Sequence, residues 1–290
     1  MSNSVLTNAS ALIALQNLNS TNNKLAMTQS RVNTGLKVQG AKDNAATWAI
    51  AQNQRADTGA LDAVKTSMNR ATSLADVSLA AGGQISDLLI ELREKATAAA
   101  DPSQTPATRK AYNDEFQSLL KSLQSFADNA TFDGENILNG KVAGVRPATP
   151  AGLTGLDFLA NVNATETITM NRQDMSLIGL GLVITPPAVA FDLTTEANAT
   201  QALTDVVAAM DTANANLAEL GAQSKQVEKH NVFVSKLMDS LEVGIGNLVD
   251  ADMAKESARL QALQVQQQLG AQALSIANQA PQIILSLFKG

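Results

Sequence analysis

The sequence predicts a mainly α-helical fold of long antiparallel coiled-coil helices, with nested termini and a small β-rich insertion at the far end. Three observations carry this expectation. Apolar residues from Leu203 to Leu248 keep alternating spacings of three and four, the signature of a coiled-coil seam. Both chain ends set apolar stripes among Asn, Gln, Ser and Thr with almost no charge. Between the helical halves, from Lys141 to about Pro187, Gly, Pro and Thr become frequent and the helical period disappears.

The ends are the unusual part. Nothing before Lys24 is charged, and from Leu260 onward the only charged side chain is Lys289. Val5, Leu6, Leu12, Ile13 and Leu18 supply the opening stripe. At the other end Leu260, Leu263, Leu274 and Ala277 share one heptad frame with Gln267 and Gly270 between them. Leu269, Ala273, Ile276, Ala280, Ile283 and Leu287 form a neighbouring stripe, and Phe288 follows it. Termini are normally solvated and rich in charge. Two thin helices paired only with each other would leave much of this apolar surface wet, so the expectation is a polymer in which many copies enclose these residues. A helical hairpin docked on its own domain would share the hydrophobicity but has no need to exclude charge.

The elements follow in order. An uncharged first helix leads into a connector, Arg31 to Ala46, where Gly35 and Gly40 argue against an uninterrupted helix. A helix from about Asp43 to Ala100 carries Leu61, Val64, Met68, Ala71 and Ala75, then Ile85, Leu88, Leu92, Ala96 and Ala99, with Gly82-Gly83 as a close contact or soft point between them. Asp101 to Pro106 is a turn with two capping residues before prolines. The next helix shows Tyr112, Phe116, Leu119, Leu123 and Phe126 and stops near Asn129. Asp133-Gly134 and Asn139-Gly140 mark turns. Hairpins and loops are expected from 141, with short β-type runs at Thr165–Met170 and Gly179–Ile184, and Thr165, Thr167 and Thr169 stand as candidate sugar acceptors.

The long penultimate helix begins at Thr194 or Thr195. Its seam is Leu203, Val206, Met210, Leu217, Leu220, Val227, Asn231, Val234, Met238 and Leu241, about 70 Å at 1.5 Å per residue. Asn231 inside it is the kind of residue that fixes register. Its expected partner is the 44–100 helix, and a loop is expected from Gly244 to Asp252. The domains are then 1–42 with 250–290, a terminal-helix domain; 43–140 with 192–249, a helical coiled-coil domain; and 141–191, a β-rich insertion on the outer surface.

Composition narrows the function. Aromatics are 3% of the 290 residues, a palette for thin helices rather than a thick globular core. A net charge of -6 without a basic stripe argues against nucleic-acid binding. The absence of cysteine excludes disulfides, thiol catalysis and thiolate metal sites. Residues 1–23 lack a secretory signal, and no stretch of about 20 apolar residues is available to span a membrane. Chemistry-bearing patterns are equally scarce. His230, the single histidine, reads as a helix-surface residue. Asp250 and Asp252 read as capping or loop residues rather than a dyad. Asp128, Asp133 and Glu135 lack the ligand spacing of a calcium loop, and Gly35 with Gly40 lacks the ending of a phosphate loop. Trp48 reads as a packing anchor. No enzyme, metal or cofactor is expected.

Three blocks resemble one family. Arg31-Val-Asn-Thr-Gly-Leu36 through Ala41-Lys-Asp-Asn-Ala-Ala46 is similar to the amino-terminal signature of bacterial flagellin, the flagellar filament subunit. Asn129-Ala-Thr-Phe-Asp-Gly-Glu-Asn-Ile-Leu138 is similar to the block ending its second core helix. Asp250-Ala-Asp-Met-Ala-Lys-Glu256, followed by Ala277-Asn-Gln-Ala-Pro-Gln-Ile-Ile-Leu285, resembles the carboxy-terminal signature. The resemblance implies a hollow extracellular filament, a helical homopolymer with or without paralogous subunits, lined by the terminal helices. It also implies export of the unfolded chain through the flagellar type III apparatus. An export chaperone on the carboxy-terminal segment and the filament cap and hook-junction proteins would be partners. Two residues depart from the family pattern: Trp48 stands where small or aliphatic residues are usual, and Glu91 where flagellins recognised by the innate immune receptor carry Arg, which argues against that recognition. The nearest competing reading is a hook–filament junction protein, which shares the terminal helices. A secreted membrane-active effector would carry Lys or Arg on its amphipathic ends, and these ends do not.

Overall fold

The computed structural model describes residues 8–142, 145, 152–184, 189–190 and 192–287, with only the backbone described at 184, 189–190 and 280–287. In order these form α1 (Ala9–Thr34), α2 (Ala45–Ala99), α3 (Pro106–Asn129), β1 (Leu156–Leu159), β2 (Thr167–Met170), β3 (Val183–Ile184), β4 (Val189–Ala190), α4 (Glu196–Val249) and α5 (Met253–Leu287). The mainly helical class with long helices and a small β insertion is the one the sequence predicts. The chain divides into two compact units, 1–58 with 239–290 and 59–238, and α2 and α4 contribute to both.

Unit 59–238 is built on the antiparallel pairing of α2 and α4. Asn231 Nδ2 donates to Asn69 Oδ1 at 2.8 Å, while further along Leu217 meets Gly82. A Cβ at Gly82 would stand 2.4 Å from Leu217 Cδ2, so this glycine is a close contact, whereas Gly83 faces open space. Val206, Leu220, Val227 and Val234 of the seam are buried, and Leu203, Met210, Leu217, Asn231 and Met238 are half-buried. The line is completed by fully buried Ala199, Ala202, Ala209 and Ala213. Small side chains let helices approach closely, which suits a chain with so few aromatics. On α2 the buried residue of the second stretch is Leu89, with Leu88 only half-buried, a one-residue correction to the expected stripe.

α3 starts where Thr105 accepts the Thr108 amide at 3.2 Å and Pro106 occupies the first turn. Its buried stripe is Phe116, Leu120, Leu123 and Ala127, not the expected line ending at Phe126, which is exposed. Leu120 takes the inward position and Leu119 is only half-buried. Asp133-Gly134, both at positive φ, forms the two-residue turn closing the Phe132–Glu135 bridge. Asn136 then closes α3. Its amide donates to the carbonyls of Ala127 and Asp128 at 2.8 and 3.1 Å, and its oxygen accepts from the amides of Leu138 and Asn139.

The insertion differs from expectation in two ways. β1 and β2 pair antiparallel, Leu156 with Met170 through Leu159 with Thr167, and β3 pairs with β4. Gly179–Gly181 is a turn, leaving only Val183–Ile184 of the expected β-type run as strand. The second correction concerns exposure: Met170, Met175, Leu180 and Leu182 are buried. The chain after β2 is stitched to the α3 side by the Gln173 and Met175 amides, which donate to the carbonyls of Ile137 and Leu138 at 2.7 and 2.8 Å. Arg172 is buried at the centre of this seam. It donates to the carbonyls of Asn136 at 2.6 Å and Lys141 at 3.2 Å and pairs with Glu135 at 2.5 Å. His230 joins the other end of the insertion to α4, its Nε2 2.7 Å from the Ala160 carbonyl.

α4 begins with Thr195 accepting the Asn198 amide, and Asp192 before it accepts from the Thr194 amide and hydroxyl and the Asn198 amide group. These hydrogen bonds, that of Asn198 first, hold the Asp192 carboxyl below its ordinary range. Hydrogen bonds from Ser103 do the same for Asp101 in the turn before α3.

Two outcomes follow from these contacts. Arg172→Ala strands buried carbonyls and is expected to lower the unfolding free energy by about 2–4 kcal/mol, read from the urea midpoint at unchanged m-value. Because the Asp192 carboxyl is depressed when folded, its stabilisation is present above the ordinary carboxylate value and lost as pH falls through the depressed one. Amide exchange at Thr194–Asn198 is therefore expected to lose protection on acidification before the α4 centre does, and Asp192→Asn to flatten that dependence.

Candidate assembly interface

Unit 1–58 with 239–290 contains the antiparallel pair of α1 and α5. Asn8 caps α1 by accepting the Ala11 amide at 3.1 Å, and its own amide donates to the Ala277 carbonyl of α5 at 2.7 Å. Gln267 donates to Asn22 at 2.8 Å midway, and Arg31 reaches Glu256 at 3.4 Å at the other end. Arg31 lies in the last turn of α1 and Glu256 in the first turn of α5, so each also opposes the local helix-end charge. Gly270 lets the helices close in: a Cβ there would be 3.2 Å from Leu18 Cδ1.

α5 has three faces. The first carries Leu260, Leu263, Gln267, Gly270, Leu274 and Ala277, all buried or half-buried against α1. On α1 the matching line is Leu18, Thr21, Leu25 and Thr28, of which the last three are buried. The Thr21 hydroxyl is satisfied by the Asn17 carbonyl at 3.0 Å, so a threonine can serve inside the pair. The second face is apolar and open. Leu269 is 60% and Ile276 69% exposed, and Val265 lies between them and the start of the helix; on α1, Leu12 and Ile13 are 61% and 59% exposed, with Leu15 and Met27 also open. The third face, Gln261, Gln264, Gln268, Gln272, Ser275 and Gln279, is exposed, polar and uncharged.

The thirteen residues expected to form a polymer core thus separate. Leu18, Leu260, Leu263 and Leu274 meet within the pair, whereas Leu12, Ile13, Leu269 and Ile276 are left open. Val5, Leu6 and Phe288 lie outside the described residues, and Ile283 and Leu287 are described as helix backbone only. Thr21, Thr28, Leu15, Met27 and Val265 were not anticipated. The signal for the threonines was their heptad position beside Leu18 and Leu25, masked by their polarity.

The connector beyond α1 joins this pair to the end of α4. Gly35, at φ 72, caps α1 and turns the chain. Leu36 bridges Asp250, the amides of Lys37 and Val38 donate to the Val249 carbonyl, and the Ala251 amide donates to the Gly35 carbonyl at 2.8 Å. Val38, Ala51 and Val249 are buried together, with Leu36, Trp48, Ile245 and Leu248 packed around them. Trp48 is therefore a packing residue in this joint. α4 continues through Gly244 and Gly246 to Val249, correcting the expected loop; each helical glycine costs only about 1 kcal/mol. A Cβ on Gly246 would meet the Asp250 carboxylate at 2.7 Å, which explains a small residue there. Asp252 caps α5 by accepting the Lys255 amide at 3.1 Å. Leu241 of the seam lies in this unit and is half-buried.

The candidate sugar acceptors Thr165, Thr167 and Thr169 are all exposed on the β1–β2 hairpin and its turn. Thr165 accepts from Asn161, Thr169 donates to Asp157, and Thr167 forms no hydrogen bond with a described residue. Among the described residues no His, Asp and Glu group could hold a metal ion, and no helix is long and apolar enough to cross a membrane.

Comparison with known proteins identifies the family. Residues 5–143 match the family model of the bacterial flagellin N-terminal helical region, and residues 198–288 that of the bacterial flagellin C-terminal helical region. The chain is 48% identical over 287 residues to flagellin FljM and 47% identical over 287 residues to flagellin FljK, both of Caulobacter vibrioides, covering 99% of each chain. It is 37% identical to a flagellin of Brucella melitensis over 287 residues, again 99% of each. A flagellar hook-associated protein structure from Vibrio parahaemolyticus superposes with a TM-score of 0.57 at 13% identity, covering 72% of this chain and 100% of that one, which shows a shared fold alone. With both helical regions matched and relatives aligned end to end, the chain belongs to the bacterial flagellin family.

Proposed function

We propose that this flagellin builds the inner core of its filament from the α1–α5 pair, with residues 1–42 and 250–290 folding into place only as neighbouring copies enclose them. As a flagellin it is a structural subunit that polymerises into the bacterial flagellar filament for motility. One observation supports the finer reading most directly: the open apolar face of the pair, with Leu12, Ile13, Leu269 and Ile276 more than half exposed and almost no charge around it. Fully burying each such side chain contributes about 1.5–3 kcal/mol. Without neighbours that gain is absent, and a thin pair with half its apolar surface wet orders poorly.

In this reading 43–140 with 192–249 surrounds the core, and 141–191 faces outward with Thr165, Thr167 and Thr169 as attachment points for sugars. The seam from Leu203 to Leu241 stiffens the surrounding layer. The uncharged glutamine face of α5 lines the channel through which later subunits travel unfolded by type III export, offering no fixed charge to hold them. The open stripe of α5 is also what an export chaperone would cover before assembly. The filament cap and hook-junction proteins meet the same terminal helices, and the site of action is extracellular. Catalysis has no part in this role.

Amide exchange in dilute monomer is expected to show rapid exchange through α1 and α5 and slow exchange at the centres of α2 and α4, with the ends becoming protected in filaments. Strong protection of both ends in the monomer would contradict folding on assembly. Gln264→Lys and Gln272→Lys are expected to slow filament elongation in export-competent cells severalfold while leaving seeded growth of purified subunits nearly unchanged; equal elongation rates would count against the channel role of the glutamine face.

A further inference from the structure

Among the exposed apolar residues of unit 59–238, Ile90 and Phe233 are each set between like charges on their own helix face. On α2, Ile90 is 54% exposed and lies between Asp87 and Glu94, three residues before it and four after, which places all three on one face. On α4, Phe233 is 56% exposed and lies between Lys229 and Lys236, four before and three after, with Leu237 beside it. All four charges are exposed, and none forms an ion pair with a described residue. The charge is also sorted along α4. Every charged residue from Glu196 to Glu219 is acidic, whereas three of the four from Lys225 to Lys236 are lysine.

From this complementarity we infer that the Asp87–Ile90–Glu94 face of α2 in one copy docks on the Lys229–Phe233–Lys236 face of α4 in another copy. The inference rests on the filament reading, because a helical polymer supplies a second copy held at fixed polarity. The direction works out. Copies in such a polymer all point the same way, and α2 and α4 are antiparallel within each copy, so α2 of one beside α4 of the next is antiparallel as well. Read backwards, Lys236, Phe233 and Lys229 have steps of three and four, matching Asp87, Ile90 and Glu94 read forwards. Asp87 then faces Lys236, Ile90 faces Phe233, and Glu94 faces Lys229: an apolar contact with an opposite charge pair on each side. Such a contact is heterologous, which suits an open-ended polymer, and its rim charges set register and suppress wrong pairings.

The absence of native cysteine gives a clean test. Copies carrying Ile90→Cys and copies carrying Phe233→Cys, copolymerised on seeds and mildly oxidised, are expected to give covalent dimers joined between those two positions. Filaments of either variant alone should give at least tenfold fewer dimers. In parallel, Lys229→Glu with Lys236→Glu, or Asp87→Lys with Glu94→Lys, is expected to slow seeded growth at least tenfold. The fourfold exchange should bring growth back to within about threefold of the unaltered chain. Circular dichroism of each monomer checks that these surface changes leave the helices intact. Filaments that form normally but yield no mixed dimer, or a fourfold exchange that grows no faster than the double reversals, overturn the pairing while leaving the filament role standing. Failure of the unaltered chain to elongate seeds would strike at the filament reading itself.

Discussion

The unfinished burial of the α1–α5 pair governs this molecule. One face of α5 is closed against Leu18, Thr21, Leu25 and Thr28, and another leaves Leu269 and Ile276 open. Charge would make that open face tolerable in water, and there is none before Lys24 or between Leu260 and Phe288. The third face is polar without being ionic, so the helix separates a closed apolar face, an open apolar face and an uncharged polar one.

The joint after α1 connects this unfinished pair to the long helices in covalent and hydrogen-bonded terms. Gly35 ends α1 in the left-handed conformation and its carbonyl accepts the Ala251 amide, and the next three residues lie along the end of α4, where Lys37 and Val38 donate to the Val249 carbonyl. Trp48 closes the small core there. Two of the blocks that resemble the family signature, 31–46 and 250–256, are thus the two sides of one structural joint. Their residue types follow from its geometry: a glycine for positive φ, an aspartate to cap α5, and the Arg31–Glu256 pair between helix ends.

Unit 59–238 achieves rigidity by other means. Alanines at 199, 202, 209 and 213 let α4 lie close to its neighbours, and Gly82 yields its side-chain space to Leu217. The β-containing part combines buried apolar side chains such as Met170, Met175 and Leu182 with a set of buried polar groups. Asn136 satisfies four backbone groups at the end of α3, and Arg172 ties Glu135, Asn136 and Lys141 together. Among these buried polar residues Arg172 Nε has no partner among the described residues, a cost of burying a charge.

By itself the sequence determined most of the helices, because heptad spacing is local: the seam through Val206, Val227 and Val234 and the Asp133-Gly134 turn are readable one segment at a time, and the starts of α3 and α4 are narrowed to two capping residues each, whereas the helical run through Gly244 and Gly246 is not. It also determined the character of the ends, since absent charge needs no coordinates to be seen. Only tertiary structure decided which face of α5 is closed and which is open, for Leu263 and Leu269 have the same hydrophobicity and differ only in what lies opposite. The inward turn of Leu120 and Leu89, the burial of Met175 and Leu182 within a segment that reads as exposed, and the meeting of Leu36 with Asp250 were likewise settled by partners distant in the chain. Periodicity fixes a helix's faces to within a residue. Which face wins burial depends on the neighbour that arrives there.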